Sequence, residues 1–231
     1  MTRLKRARTC VLILVLLLTG AWPTEAPWIH GAYAQSLTLA LWPQLAGVKV
    51  RPTDAVPATP GTAARAKGGL GEGVATQVVL TNTGGATLSG LTPQLGVLTG
   101  PNGATIGGDA VELYRVGYVW ANQASDPAGA TGEWPDALYP IGPDRFFHEQ
   151  RNGAPFDVGP GRNQPVWIDI RVPTTAAPGT YNGTFSVSQS GAVVAQLPFE
   201  LTVWNYALPS SARLPTTYIM NTSVRISSPR F

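Results

Sequence analysis

Residues Pro165–Pro209 read PVWIDIRVPTTAAPGTYNGTFSVSQSGAVVAQLPFELTVWNYALP, and three alternating runs within them decide the fold. In the first, Val166, Ile168, Ile170 and Val172 share one face, with Trp167, Asp169 and Arg171 on the other. In the second, Tyr181, Gly183, Phe185 and Val187 alternate against Asn182, Thr184, Ser186 and Ser188. In the third, Leu197, Phe199, Leu201 and Val203 alternate against Pro198, Glu200, Thr202 and Trp204. Period two is what a half-buried antiparallel strand requires, because successive side chains point to opposite faces of the sheet. Short runs of this kind, punctuated by Gly and Pro and with no helical period, predict an all-β antiparallel sandwich of the immunoglobulin/fibronectin type.

Toward the N-terminus the same pattern continues. Ser36–Trp42 is a β-prone run, which Val48–Arg51 extends across a turn, and Val74, Thr76, Val78 and Leu80 lie on one face of another strand. Between them, Pro52–Gly71 is rich in Pro, Ala and Gly and is expected to be a mobile loop. Asn82-Thr83-Gly84-Gly85 and Asn102-Gly103 supply turn chemistry, since Asn and Gly tolerate positive φ at little cost. Thr87–Leu98 reads as one or two strands. Val111–Trp120 carries apolar residues on both faces, which predicts a central strand covered by core on one side and by a loop on the other. Ala121–Asn163 shows no sustained period. Loops beyond about 12–15 residues are usually functional or disordered, and Trp134, Tyr139, Phe146, Phe147 and Phe156 argue for an ordered excursion.

The first 34 residues have the form of a secretory signal: a basic start (Arg3, Lys5, Arg6, Arg8), the apolar core Cys10–Leu18 and the small-residue site Ala32-Tyr33-Ala34. The core is short of the roughly 20 residues that cross a bilayer, so the expected product is secreted or displayed at the cell surface, cut between Ala34 and Gln35. No membrane association is expected after cleavage; an earlier cut after Ala21 and an uncleaved anchor are the alternatives. The formal net charge of +3 comes from this leader, which holds four basic residues against Glu25 alone. The remainder is formally neutral, so no basic stripe is left for nucleic acid. The single cysteine, Cys10, also lies in the leader, which excludes disulfides and cysteine-type zinc or iron–sulfur sites from the mature domain. The expected organisation is a signal at 1–34, a sandwich at 35–209 with a long loop at 121–163, and a linker or the start of a truncated second domain at 210–231.

Several segments together resemble one known family: QVVLTNTGGATLSGL (77–91), VELYRVGYV (111–119), EWPDALYP (133–140), the Asn163–Gly183 stretch and LPFELTVWNYALP (197–209). The chain resembles the N-terminal β-sandwich of glycoside hydrolase family 123-like proteins. The resemblance implies a sandwich preceding a (β/α)8 barrel that carries the chemistry. It further implies retaining, substrate-assisted N-acetylgalactosaminidase activity through an Asp–Glu pair on that barrel. The chain stops at Phe231, where the barrel would begin, so no catalytic residue carries over and the barrel is expected to be missing or separately encoded.

Candidate chemistry within the chain is sparse. Glu133 and Asp136 flank Trp134, an arrangement suited to a sugar between two carboxylates about 5–10 Å apart; equally, they are solvated loop charges beside an aromatic plug. Trp120, Trp167 and Trp204 sit at alternating strand positions and suit either an aromatic sugar platform or an inter-domain surface, as do Trp134, Asp136 and Tyr139. Asp126, Asp144 and Asp157 do not have the spacing of a compact Ca2+ loop, so no metal and no cofactor are expected. His148 and Glu149 have no Gly-x-Ser-x-Gly elbow or cysteine to activate and read as surface residues. Asn182-Gly183-Thr184 and Asn221-Thr222-Ser223 match the glycosylation pattern but read as a hairpin turn and chance. The leading expectation is a secreted non-catalytic accessory sandwich. A stand-alone carbohydrate- or cell-surface-binding module and a structural adhesion domain are the alternatives.

Overall fold

The computed structural model describes residues 38–124, 129–143, 148–149 and 151–209. The leader, Asp126, Asp144, Phe146, Phe147, Asn221 and the 210–231 tail lie outside them. Twelve strands are present among the described residues: β1 Leu39–Leu45, β2 Ala64–Leu70, β3 Gly73–Asn82, β4 Leu88–Leu95, β5 Leu98–Thr99, β6 Thr105–Ile106, β7 Val111–Ala121, β8 Gly132–Pro140, β9 Phe156–Val158, β10 Asn163–Arg171, β11 Gly179–Gln189 and β12 Ala192–Ala207. One sheet runs β1-β3-β10-β7-β8; the other runs β2-β12-β11-β4-β9, with β5 and β6 appended to β11. The protein is an all-β sandwich.

The three alternating runs form β10, β11 and β12 in the predicted register. Val166, Ile168, Ile170, Val172, Tyr181, Phe185, Val187, Leu197, Phe199, Leu201 and Val203 are all buried in one core between the sheets. Each such side chain contributes about 1.5–3 kcal/mol by leaving water. The Tyr181 ring is fully buried, and its hydroxyl donates to the Ala177 carbonyl at 3.0 Å, so no polar group is stranded.

Several expectations are corrected. The stretch expected to be a mobile loop contains β2, which pairs parallel to β12, so the sandwich is not wholly antiparallel. The reason is compactness: Ala64 and Ala66 are buried, and a Cβ on Gly68 would lie 2.5 Å from Val74, leaving room only for small residues. The long 121–163 segment is not a loop throughout, because β8 within it pairs with β7 and closes one edge of its sheet, and β9 pairs with β4. Pro135 and Pro140 are tolerated there because β8 is an edge strand. Val48–Arg51 does not extend β1; it belongs to an irregular segment folded over the outer face. β7 is interior to its sheet as expected, and the segment 45–54 reaches it from outside the sheet, the Tyr118 hydroxyl donating to the Val50 carbonyl at 3.3 Å. Asn182-Gly183-Thr184 is not a turn: it lies mid-strand in β11, where a Cβ on Gly183 would press on Leu98 at 2.5 Å.

Candidate functional site

Buried polar residues on an outer face are the first sign of a built site. Gln77 on β3 lies on the polar side of its strand yet is only 4% exposed. Its side-chain amide donates to the carbonyls of Leu45 (2.9 Å), Ala46 (3.3 Å) and Val48 (3.0 Å). Asn163 at the start of β10 donates to the carbonyls of Arg51 (3.1 Å) and Asp54 (2.8 Å). It also accepts from the Thr81 hydroxyl (2.6 Å), which itself accepts from the Trp42 indole at 2.9 Å. Arg51 adds bonds to the carbonyls of Glu133 (3.2 Å) and Thr131 (2.9 Å), and its guanidinium lies 4.7 Å from the Trp134 ring. The segment 45–54 is therefore fastened from three strands.

Between this segment and β8 lies a cleft of about 240 Å³ on the outer face of the sheet. Trp167, Val116 and Leu138 give it an apolar lining; Gln77, Lys49 and Asp136 supply polar groups. Trp167 is directly opposite Gln77 on β3 and Tyr114 on β7. Lys49 Nζ donates to the Pro135 carbonyl at 3.2 Å, which ties the rim to β8. Above it, Tyr118 donates to Val50 and to the Asn163 carbonyl (3.2 Å); burial pushes its hydroxyl well above the usual tyrosine range, partly offset by the Arg162 charge.

The structure brings Asp136 and Trp167 together in that cleft. It separates the other candidates. Glu133 is not free: it pairs with Arg162 at 2.7 Å, and Trp134 donates to the Ala130 carbonyl at 2.8 Å beneath Arg51. Trp120 shares the outer face by alternation but lies four residues beyond Val116, roughly 13 Å along the strand, and is 65% exposed. Tyr139 lies against Arg115, whose guanidinium is 5.2 Å from its ring and 5.9 Å from Phe156. Trp204 belongs to the other sheet, so the three tryptophans do not form one platform. Asp157 accepts from the Gly90 amide at 2.8 Å. His148 is exposed and borders a recess with Asp109, Glu112 and Arg171, where among the described residues no Ser, Thr or Cys lines the wall. Among the described residues no three His, Cys, Asp or Glu side chains gather as a metal site.

A second feature, of which the sequence pointed to Trp204 but not to its neighbours, lies where β12 outruns β11. Its pairing with β11 ends at Val203, and Trp204–Ala207 pairs only with β2. Trp204 and Tyr206 stack at 5.9 Å with rings 23° apart, and Trp204, Tyr206 and Leu208 are 44–46% exposed. Tyr206 covers Gly69, where a Cβ would overlap its ring, and its hydroxyl donates to Glu72 at 3.3 Å. Local desolvation and the Glu72 carboxylate raise the pKa of that hydroxyl.

The sequence model of the glycoside hydrolase 123 N-terminal domain matches residues 50–189, more than half of the chain. The chain belongs to this family. Both candidate features fall in this family 123 N-terminal domain or just beyond the matched span. Among solved structures it is similar to a family 123 glycoside hydrolase from Clostridium perfringens, studied for glycolipid glycan hydrolysis, at 17% identity and a TM-score of 0.59. That match covers 74% of this chain but 28% of the enzyme, so the likeness is one of fold over about a quarter of the enzyme's length. AvmM, which catalyses macrocyclization in alchivemycin A biosynthesis, matches at 10% identity and a TM-score of 0.37 over 79% of this chain and 98% of its own. A PapD-like domain of human CEP192 matches at 12% and 0.32 over 82% and 100%. Scores this low carry no argument. No curated protein matches the chain.

Proposed function

We propose that this family 123 N-terminal domain is a secreted, non-catalytic accessory sandwich whose work is to seat a catalytic (β/α)8 barrel of a glycoside-hydrolase-like protein. The observation that carries the reading is the end of β12. An apolar, stacked pair (Trp204 and Tyr206) followed by Leu208 stands exposed at the end of β12, on the last described residues. Apolar side chains gathered at such a position suit a neighbouring domain, since contiguous exposed apolar patches mark interaction surfaces.

The site chemistry agrees. Glycoside hydrolysis in its usual forms requires two carboxylates flanking the bond. The Trp167 cleft has one, Asp136, because the nearby Glu133 is engaged by Arg162. The basic start, apolar core and Ala32-Tyr33-Ala34 motif support export. Two measurements test the reading. The purified protein is expected to release no nitrophenol from 4-nitrophenyl N-acetyl-β-galactosaminide; it is also expected to self-associate in gel filtration through its exposed β12 end, and Trp204→Ser/Tyr206→Ser to reduce that association. Turnover of the glycoside by the purified chain would overturn the non-catalytic assignment.

A further inference from the structure

The Trp167 cleft has a composition that seating a barrel does not explain. Its volume of about 240 Å³ falls below the range of about 300–1,000 Å³ typical of drug-sized ligands, so it suits one ring at most. Its lining combines an indole and two aliphatic side chains with several unspent polar groups. Among the described residues nothing bonds the Asp136 carboxylate, and Lys49 spends one of its three donors, on Pro135. Likewise nothing accepts from the Trp167 indole N–H, and Gln77 uses only its amide donors, leaving its Oε1 unpaired although the side chain is almost wholly buried. Buried polar atoms are nearly always satisfied, so one unspent at a cleft wall is open to water or to a ligand's hydroxyl.

The walls are also fixed in advance. Gln77 holds 45–48 by three hydrogen bonds, Arg51 ties the same segment to 131 and 133, and Asn163 holds its far end. A preorganised wall lowers the ordering cost of binding. A ligand for this cleft needs an apolar face for the indole and a rim of groups that both donate and accept. A pyranose ring has that form: C–H bonds on its face, hydroxyls at its edge.

We propose that the cleft lined by Trp167, Gln77, Lys49 and Asp136 is a binding subsite for a single pyranose residue of a glycan. Trp167 stacks on the sugar face, Asp136 accepts from a hydroxyl pair, and Lys49 donates to a third oxygen. With one carboxylate in reach, the subsite holds a sugar without cleaving it. It stands apart from the seating role, because the exposed β12 end belongs to the other sheet.

The test is a 15N-labelled titration of the full protein with methyl β-galactoside, N-acetylgalactosamine, N-acetylglucosamine, glucose and mannose. The expected result is saturable movement of the Trp167 indole signal and of the 46–49 and 136–138 amides for at least one sugar. At a single-ring site, half-saturation is expected in the millimolar range, on the order of 1–10 mM. The Trp204 and Trp120 indole signals stay still. Trp167→Phe retains binding and Trp167→Ala loses it. Asp136→Asn weakens it about tenfold, the loss expected for a hydrogen bond to a charged group. Trp167→Ala is followed by circular dichroism, so that loss of fold is told apart from loss of binding. No saturable movement with any of the five sugars, or movement unchanged in Trp167→Ala, would overturn the proposal whatever the glycosidase assay and the gel filtration show.

Discussion

Asn163→Ala separates a structural account of the 45–54 segment from a mere list of contacts. The side chain is 3% exposed and makes three hydrogen bonds, to Arg51, Asp54 and Thr81. Each bond contributes about 0.5–1.5 kcal/mol net, and a buried partner left unsatisfied costs about 1–3 kcal/mol. The two loop carbonyls are the cheaper losses, because Arg51 is half-buried and Asp54 exposed, so water reaches them. The Thr81 hydroxyl is buried and has no such recourse. The expected destabilisation is about 2–4 kcal/mol. In urea, with m near 2 kcal/mol/M, that is a midpoint shift of about 1–2 M at constant m. The neighbouring residue supplies the control. Arg162 pairs with Glu133 at 2.7 Å, but the two side chains are 41% and 37% exposed, so Arg162→Ala should cost about 0–1 kcal/mol. An Asn163→Ala protein within about 0.5 kcal/mol of wild type, or an Arg162→Ala protein as unstable as it, would refute the reasoning that burial decides which polar contact matters.

Three further outcomes follow from local geometry. Tyr118 ionises near pH 10 when unfolded, and burial raises that value in the fold, so the unfolded chain releases its proton first. Stability should fall as pH rises through about 10, by up to about 1.4 kcal/mol per pH unit, and Tyr118→Phe should flatten that part of a pH-dependent urea series. A Cβ at Gly100 would lie 2.5 Å from the ring of Tyr181, which is fully buried and cannot retreat, so Gly100→Ala should lower Tm. Overpacking of about 1–3 kcal/mol corresponds to roughly 2–12 °C for a domain of this size. Gly69→Ala meets the Tyr206 ring in the same way, but that side chain is exposed and can swing aside, so its Tm should stay within about 2 °C of wild type.

The elements legible in the sequence are those with one face in the core and the other in water, since only there does composition alternate. β10, β11 and β12 satisfy this, and their inward residues are buried as the pattern requires. β2 does not, because ARAKGGL fills its inward positions with Ala and Gly, which carry little hydrophobic signal. β8 fails for a different reason. A register shift opposite Val116 and Tyr118 adds a residue to the strand and breaks the alternation, and two prolines lie within it. The cleft was half legible. Trp167 and Asp136 stood out singly, but Gln77 reads from sequence as a solvated residue on a polar face. Only the fold brings 45–48 over it, and no local spacing encodes a contact across about thirty residues of chain.

The two features occupy different sheets, and this bears on whether one domain can use both. Trp167 faces outward from the β1-β3-β10-β7-β8 sheet and Trp204 outward from the other, with the main apolar core between them. Packed sheets lie about 10 Å apart, so two side chains on opposite outer faces are separated by more than that distance. Substitutions so far apart with no shared partner are independent to within roughly 0.3–0.5 kcal/mol. A domain docked on the end of β12 therefore need not cover the cleft, and a sugar in the cleft need not disturb the docked domain. Trp167→Ala should leave self-association through the β12 end unchanged, and Trp204→Ser should leave sugar titrations unchanged. Coupling between the two would mean that one surface extends around the edge of the sandwich, and β1, which lies against β12 and β2, would be the strand that joins them.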